Sequence, residues 1–86
     1  MPELRLTRRA RNDLADLPSP LREAVIETLT ALAADPELGK PLVGRLAGLW
    51  SARVGSYRIL YTREPSGTIV RAIRHRGVAY QARRGQ

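Results

Sequence analysis

The sequence predicts an α+β fold in the order β-α-α-β-β-β, with a helix hairpin packed on one face of a small antiparallel sheet. Three observations predict it. Apolar residues recur at helical spacing in the first half of the chain, they alternate with polar residues in the second half, and glycine-containing turns separate the alternating segments. We expect one domain over residues 1–86, because a chain of this length builds a single small core.

The first elements are a short strand and two helices. Residues 4–6 alternate apolar and polar, as a strand does. Thr7 is positioned to cap a first helix, which Pro18 stops. Ser19 as N-cap and Pro20 at the first helical position predict the start of a second helix. Because the two helices are close in sequence, we expect an antiparallel hairpin.

The second helix carries an apolar stripe and ends at Asp35-Pro36. The stripe consists of Leu21, Val25, Leu29 and Leu32, with Ile26 and Ala33 beside it. Residues 37–48 contain three glycines and one proline, which predicts a connector, with Leu42 and Leu46 turned inward.

Three strand segments follow: LWSARV, YRILYTR and TIVRAIRH. Gly55-Ser56 between the first two is a two-residue hairpin turn, which pairs Arg53 with Arg58. The alternation places six apolar residues on one face, expected to pack on the helices: Trp50, Ala52, Val54, Tyr57, Ile59 and Tyr61.

Arg53 and Arg58 then lie opposite each other on the other face of the sheet. Like charges in this position destabilise a sheet by roughly 0.2–1 kcal/mol per pair. One interpretation is that the two guanidinium groups hold a shared anion. The other is that both side chains extend into water, as exposed arginines often do. The hairpin alone does not decide between them.

The third strand adds further basic residues whose face depends on the loop before it. A four-residue loop pairs Arg63 with Thr68 and puts Arg71 and His75 on the face of Arg53. A loop of three or five residues puts Arg74 and Arg76 there instead. Twist or a bulge near the strand end would bring both sets close.

The charge of the chain is strongly polarised. Residues 1–39 hold five basic and seven acidic residues, a net charge of −2, whereas residues 40–86 hold ten basic and one acidic, a net charge of +9. Fourteen of the fifteen basic residues are arginine. Arginine pairs bidentately with phosphate and stays charged, so we expect the second half to bind nucleic acid rather than merely to keep the protein in solution.

Several classes of function are excluded by composition. The chain has no cysteine and one histidine, which leaves no disulfide framework and no structural zinc site. No carboxylate lies among the C-terminal arginines apart from Glu64, and no glycine-rich phosphate loop is present. We therefore expect no metal site and no cofactor. The N-terminus lacks a signal sequence and no apolar run spans a membrane, which predicts a soluble cytoplasmic protein.

Metal-free cleavage of RNA remains compatible with this composition, because the 2′-OH of RNA is a built-in nucleophile. The reaction needs a base, cations that stabilise the phosphorane, and an acid for the leaving oxygen. Arginine supplies the cations, and His75 and Tyr80 are the titrating candidates nearby. His75 is either catalytic or simply a solvent-exposed strand residue, and Tyr80 either stacks on a base or closes the edge of the core.

The segments LGKPL, LAGLWSARVGSYRILY and IRHRGVAY, preceded by two helices, closely resemble the RelE/ParE toxin superfamily over essentially the whole chain. The IRHRGVAY ending favours the RelE branch, and the short connector and hairpin look like actinobacterial RelE toxins. The resemblance implies a toxin of a type II toxin–antitoxin system. Such toxins enter the ribosomal A site, cut mRNA there by metal-free 2′-OH attack, and so inhibit translation.

The resemblance also implies roles for individual residues. Arg53 falls where the family helps to activate the 2′ oxygen, and Arg58 falls on the arginine that stabilises the scissile phosphate. Arg76 matches a phosphate stabiliser or leaving-group acid, Tyr80 a tyrosine that orients the RNA base, and His75 a position for the acid or base. The residues expected to bind RNA around them are Lys40, Arg45, Ser51, Arg71, Arg74 and Arg83.

Ser51 departs from the family pattern, since many members have lysine or arginine there. That difference keeps open a weakly active toxin-like module that mainly binds its antitoxin. A ParE-like toxin, which inhibits DNA gyrase without cutting RNA, shares the hairpin and is the other alternative. The expected partners are an acidic, RelB-like cognate antitoxin, through which the hetero-oligomeric complex binds operator DNA, and the ribosome with its mRNA. No membrane partner is expected.

Overall fold

The computed structural model describes residues 3–75. Its two helices are α1, Arg8–Ala15, and α2, Ser19–Ala34. Its five strands are β1, Leu4–Leu6; β2, Lys40–Pro41; β3, Trp50–Val54; β4, Tyr57–Glu64; and β5, Gly67–His75. Two short 3-10 turns, Pro36–Leu38 and Gly44–Leu46, flank β2.

All five strands belong to one sheet in the order β1-β5-β4-β3-β2. The predicted α+β class and element order are confirmed, with two differences. The sheet is mixed, because β1 runs parallel to β5. The connector also contributes a strand, β2, which pairs with the start of β3. That strand is only two residues long and contains Pro41, so no alternation marks it in the sequence.

The helices begin and end for identifiable reasons. Thr7 caps α1 as predicted, since its Oγ1 accepts a hydrogen bond from the Ala10 amide at 3.1 Å. The predicted cap of α2 is wrong by one residue: Pro18 is the N-cap, without a side-chain hydrogen bond, and Ser19 is already helical. There the Arg22 side chain donates to the Leu17 carbonyl at 2.8 Å, while the Arg22 amide donates to the Pro18 carbonyl.

The core lies between the helices and one face of the sheet. The helices contribute Ala10, Leu17, Val25, Leu29 and Leu32, and the strands contribute Ala52, Val54, Ile59, Tyr61, Val70 and Ile73. Four of the six residues predicted for the inner face are buried in it, and Trp50 and Tyr57 pack at its margin. We call this the inner face and the opposite side of the sheet the outer face. Within residues 3–75, no helix is long and apolar enough to cross a membrane.

Candidate functional site

The outer face of β3 and β4 carries the predicted arginine pair. The observed register joins Val54 to Tyr57, Arg53 to Arg58 and Ala52 to Ile59, which confirms the hairpin prediction. Gly55 at the turn has a φ of 59°, a conformation that glycine adopts without steric cost. A two-residue loop leaves no freedom in the pairing, so the sequence was sufficient to align these two arginines.

A β-bulge in the next strand brings in a third arginine. Arg63 pairs with Thr68, as the four-residue-loop alternative predicted. Leu60, however, pairs with Ala72 while its neighbour Tyr61 pairs with Val70, so Arg71 is an extra residue. An inserted residue reverses which side chains face outward beyond it. The face of β5 past the bulge is therefore set by Arg71 and not by the loop alone.

The result is a row of three arginines across three neighbouring strands: Arg53, Arg58 and Arg74. We call it the arginine row. Since adjacent strands lie about 4.8 Å apart, the row spans roughly 10 Å of backbone. Within the described part of the chain, no carboxylate lies within ion-pair distance of Arg53 or Arg74. The row is a concentration of positive charge suited to a polyanion.

His75 does not join this row. It pairs with Tyr57, which places it toward the inner face, and its ring lies edge-on to the Tyr57 ring at a centroid distance of 5.4 Å. The expectation that His75 would share the face of Arg53 under the four-residue-loop pairing is therefore wrong, because the bulge intervenes. His75 instead borders a cleft of about 250 Å³ beside Asp13 and Asp16 of α1.

Arg71 reaches the outer face but points away from the row. Its Nε donates to the Thr62 hydroxyl at 3.2 Å, and one of its terminal nitrogens lies 3.4 Å from a Glu64 carboxylate oxygen. Glu64 is the acidic residue of the basic half of the chain, so part of the positive charge near the β4–β5 turn is neutralised. Arg71 is thus a secondary contributor to the basic face.

Of the remaining predicted RNA-binding residues, some lie next to the arginine row and others lie away from it. Lys40 pairs with Ser51, so both lie on the outer face beside Arg53. The Ser51 hydroxyl is buried and has no hydrogen-bond partner among the described residues. Arg45 is exposed in the 3-10 turn at the start of β3, the end remote from Arg53. Arg76, Tyr80 and Arg83 lie outside the described residues.

A groove of about 670 Å³ runs beside the arginine row. Its lining includes Arg53 and Arg58, Thr28 of α2 and the segment 38–42. Tyr61 fixes this segment: its hydroxyl donates to the Pro36 carbonyl at 2.6 Å and accepts from the Gly39 amide at 3.1 Å. The groove therefore has a firmly held wall next to two of the three cations.

Burial raises the pKa of Tyr61 above its usual 10.0, while the hydrogen bond from the Gly39 amide works in the opposite direction. The phenol consequently stays protonated and remains able to donate to Pro36. Among residues 3–75, no three histidine or acidic side chains come together in a way that would hold a metal ion.

Sequence reasoning missed one contact of this region entirely. Asp13 of α1 accepts a hydrogen bond from the backbone amide of Ile73, with Oδ2 2.9 Å from the nitrogen. Ile73 immediately precedes Arg74. No local pattern signals this contact, because its partners are 60 positions apart in the chain.

Comparisons with known proteins agree with this architecture. A family model described as the ParE toxin of type II toxin–antitoxin systems matches residues 4–80. The chain is 42% identical over 82 residues to Toxin RelG of Mycobacterium tuberculosis, covering 91% of this chain and 94% of that protein.

The solved structures similar to the chain include two toxin–antitoxin systems. One is the RelBE2 toxin–antitoxin complex of M. tuberculosis, with a TM-score of 0.77 and 39% identity, covering 85% of this chain and 95% of that chain. The other is the chromosomal ParDE system of P. aeruginosa, with a TM-score of 0.71 and 16% identity, covering 87% and 96%. At that identity the second likeness concerns the fold alone.

Proposed function

The chain belongs to the RelE/ParE superfamily of type II toxin–antitoxin toxins, and from this we propose that it is a ribosome-dependent endonuclease that cuts mRNA in the A site. The observation that carries the proposal is the arginine row on the outer face. Three cations on adjacent strands offer several guanidinium donors to one stretch of phosphate backbone. The 42% identity to RelG makes the RelE branch the better supported one.

In the proposed reaction, the 2′-oxygen attacks the adjacent phosphorus, the bond to the 5′-oxygen breaks, and a 2′,3′-cyclic phosphate forms. Arg53 and Arg58 stabilise the charge that develops on the 2′-oxygen and on the phosphorane. The 2′ proton passes to a base and a second proton reaches the departing 5′-oxygen. Arg76 and Tyr80 keep the roles that the family resemblance implies, as leaving-group acid and base-orienting tyrosine.

The arrangement supports a reaction driven by positioning and electrostatics. His75 borders the cleft next to Asp13 and lies on the opposite face of the sheet from Arg53 and Arg58, so we assign it no proton transfer. Codon positioning would come from the ribosome together with the groove beside Arg53. We therefore expect the rate of RNA cleavage to depend more on the arginines of the row than on a general base among residues 3–75.

A cognate antitoxin is the expected regulator. We propose that an acidic segment of it covers the arginine row, because exposed like charges in a cross-strand row attract carboxylates. The resulting hetero-oligomer would contact operator DNA through the antitoxin. Toxin in this complex would be unable to enter the ribosome.

A ParE-like activity on DNA gyrase is the second candidate, and one observation favours it: the family model that matches residues 4–80 is the ParE toxin. The two candidates predict different molecular targets. Gyrase inhibition proceeds by protein contact and leaves RNA intact, whereas an endonuclease leaves cut messages.

The deciding experiment combines induction in cells with a purified reaction. We expect growth arrest on expression without antitoxin, cleavage positions in cellular mRNA by primer extension, and cleavage of purified mRNA only when ribosomes are added. Arg58→Ala serves as the inactive control. Intact mRNA together with accumulating gyrase–DNA complexes would overturn the endonuclease assignment and support the ParE-like alternative.

A further inference from the structure

The edge of β5 changes its neighbour halfway along the strand. β1 pairs with β5 only from Thr68 to Val70. At Thr7 the chain leaves the sheet, after its amide has donated to the Val70 carbonyl at 3.0 Å. Beyond that point no strand of the described chain pairs with this edge of β5, although the strand continues to His75. The backbone groups of Arg71 to His75 on this side therefore need other partners.

Helix α1 supplies them through two side chains. The Thr7 hydroxyl donates to the Arg71 carbonyl at 3.1 Å while it also caps the helix by accepting from Ala10. Six residues later, Asp13 accepts from the Ile73 amide at 2.9 Å. Helix and strand are thus joined on both sides of Ala72, immediately after the bulge.

Asp13 is suited to hold this position. Its side chain is 23% exposed, so the bond to Ile73 is largely shielded from competing water. A carboxylate accepting from a backbone amide makes a charge-assisted bond, which is stronger than a neutral one. Arg9 lies one turn earlier, with its Nε 3.9 Å from the same oxygen, and so adds a weak ion pair to the helix side of the contact.

The location matters because a bulge is a place where register can change. Moving the extra residue past His75 would pair Arg74 with Tyr57 on the inner face and Ile73 with Arg58 on the outer face. The ladder between β4 and β5 holds Arg74 opposite Arg58 only if the extra residue lies before Arg74. A fixed Ile73 amide on the other edge selects that alternative.

We propose that Asp13 is a positioning residue: by binding the Ile73 amide it fixes the bulge and keeps Arg74 in the arginine row. The proposal rests on the proposed function in one respect, that the row binds RNA phosphates. Asp13 itself is assigned no contact with the RNA. Its contribution should therefore pass entirely through Arg74, which makes it separable from a general loss of stability.

The binding test is a double-mutant cycle between Asp13→Ala and Arg74→Gln, read by fluorescence anisotropy on a single-stranded RNA with 2′-deoxy substitutions that prevent cleavage. We expect Asp13→Ala to weaken binding about tenfold in the wild-type background and less than about twofold once Arg74 is glutamine. In an Arg53→Gln background the effect of Asp13→Ala should persist in full. Equal losses in all three backgrounds would mean a merely structural role and overturn the proposal.

Two further variants distinguish the loss of the Asp13–Ile73 hydrogen bond from a general loss of folding. Asp13→Asn keeps an acceptor oxygen but loses the charge assistance of the hydrogen bond, and should weaken binding about threefold. Asp16→Asn changes a carboxylate in the same cleft that does not hydrogen-bond the Ile73 amide, and should behave as wild type. If Asp13→Ala does not fold, the comparison of Asp13→Asn with Asp16→Asn decides: Asp13→Asn should weaken binding more, and no difference between them would overturn the proposal.

If the protein does not bind the oligonucleotide, the proposed function fails, but the role of Asp13 in fixing the register is still testable. The measurement for that case needs no RNA. By NMR, hydrogen exchange of the Ile73 amide should accelerate at least about tenfold in Asp13→Ala, while the amide of Ile59 stays protected. Cross-strand contacts between Arg58 and Arg74 should weaken in parallel. If those contacts persist unchanged in Asp13→Ala, Asp13 does not set the register.

Discussion

Arg58 lies directly opposite Arg74 in the pairing of β4 with β5, as it lies opposite Arg53 in the pairing of β4 with β3. One strand thus holds an arginine between two others. In the free protein this is an unfavourable arrangement, since each directly opposed like-charge pair destabilises the sheet. The arrangement becomes favourable when an anion binds, and this opposition between stability and binding can be measured.

We expect Arg53→Gln and Arg74→Gln to stabilise the free protein and to weaken RNA binding at once. Each removes one like-charge contact, so the free energy of unfolding in urea should rise by roughly 0.2–1 kcal/mol at low salt, and less at high salt. Arg45→Gln, in the exposed turn remote from the row, is the matched control for stability. A loss of stability in both row variants would contradict the charge argument.

The salt dependence of RNA binding should report the same residues. Each phosphate contact that is removed lowers the slope of log affinity against log salt by about 0.7 for a single strand. Arg74→Gln should therefore flatten the slope by about that amount, and Arg71→Gln by less, because Arg71 already pairs with Glu64. Titrations at four salt concentrations measure it. Equal slopes for Arg74→Gln and the wild type would exclude a phosphate contact.

His75→Gln should reduce mRNA cleavage on ribosomes far less than Arg58→Gln does. His75 lies toward the inner face beside Tyr57, whereas Arg58 is the centre of the row. We expect a loss below about threefold for the histidine variant and of about a hundredfold or more for the arginine variant. Single-turnover rates decide it. Comparable losses would restore His75 as the acid or base that the family resemblance implied.

Stability at alkaline pH should depend on Tyr61. Burial raises the pKa of its phenol in the folded protein, and unfolding returns it to about 10.0. Above that pH the unfolded state has lost a proton that the folded state keeps, so the free energy of unfolding falls as pH rises. Urea unfolding from pH 8 to 11 should show this decline in the wild type and less of it in Tyr61→Phe. Tyr57→Phe is the control, because it removes the phenol hydroxyl of a different tyrosine, at the start of β4. This variant should retain the full decline in the free energy of unfolding.

Gly39→Ala should be markedly destabilising. A Cβ at Gly39 would lie 2.7 Å from the Ser51 carbonyl oxygen and 2.5 Å from the Tyr61 hydroxyl, both fixed parts of the groove wall. We expect a loss of roughly 1–3 kcal/mol, measured by urea unfolding. Gly55→Asn is the control, since that position has open space and asparagine accepts its positive φ at small cost. Equal losses in the two variants would show that the segment yields easily.

The accuracy of the sequence prediction varied with the range of the interactions involved. The β3–β4 register followed from Gly55-Ser56 alone, because a two-residue turn fixes the pairing on both sides. The α2 stripe was equally clear, with Val25, Leu29 and Leu32 buried as expected. These features depend on neighbours in the chain, and local patterns describe them well.

The bulge was harder to predict for a physical reason. Val70 and Ile73 are both buried in the core, although a regular strand sends residues three apart to opposite faces. That spacing indicates a bulge. However, Ile69 and Ile73 also fit an uninterrupted alternation, so the sequence supports a bulged and a regular β5 strand equally. The contact with Asp13 resolves the ambiguity in the folded protein, and it comes from the other end of the chain. The roles of Arg76 and Tyr80 stay predictions.

The bulge gives β5 one residue more than its ladder with β4 requires. Thr68 to Val70 pair before Arg71, and Ala72 to His75 pair after it. A one-codon deletion of Arg71 would leave every other pair in place, whereas a one-codon deletion in the Gly55-Ser56 turn would reverse the faces of a whole strand. The gene is therefore tolerant of a change in length at one point of the sheet and intolerant at another sixteen codons upstream. Homologues that differ in length by one residue can thus be expected to carry the gap at Arg71.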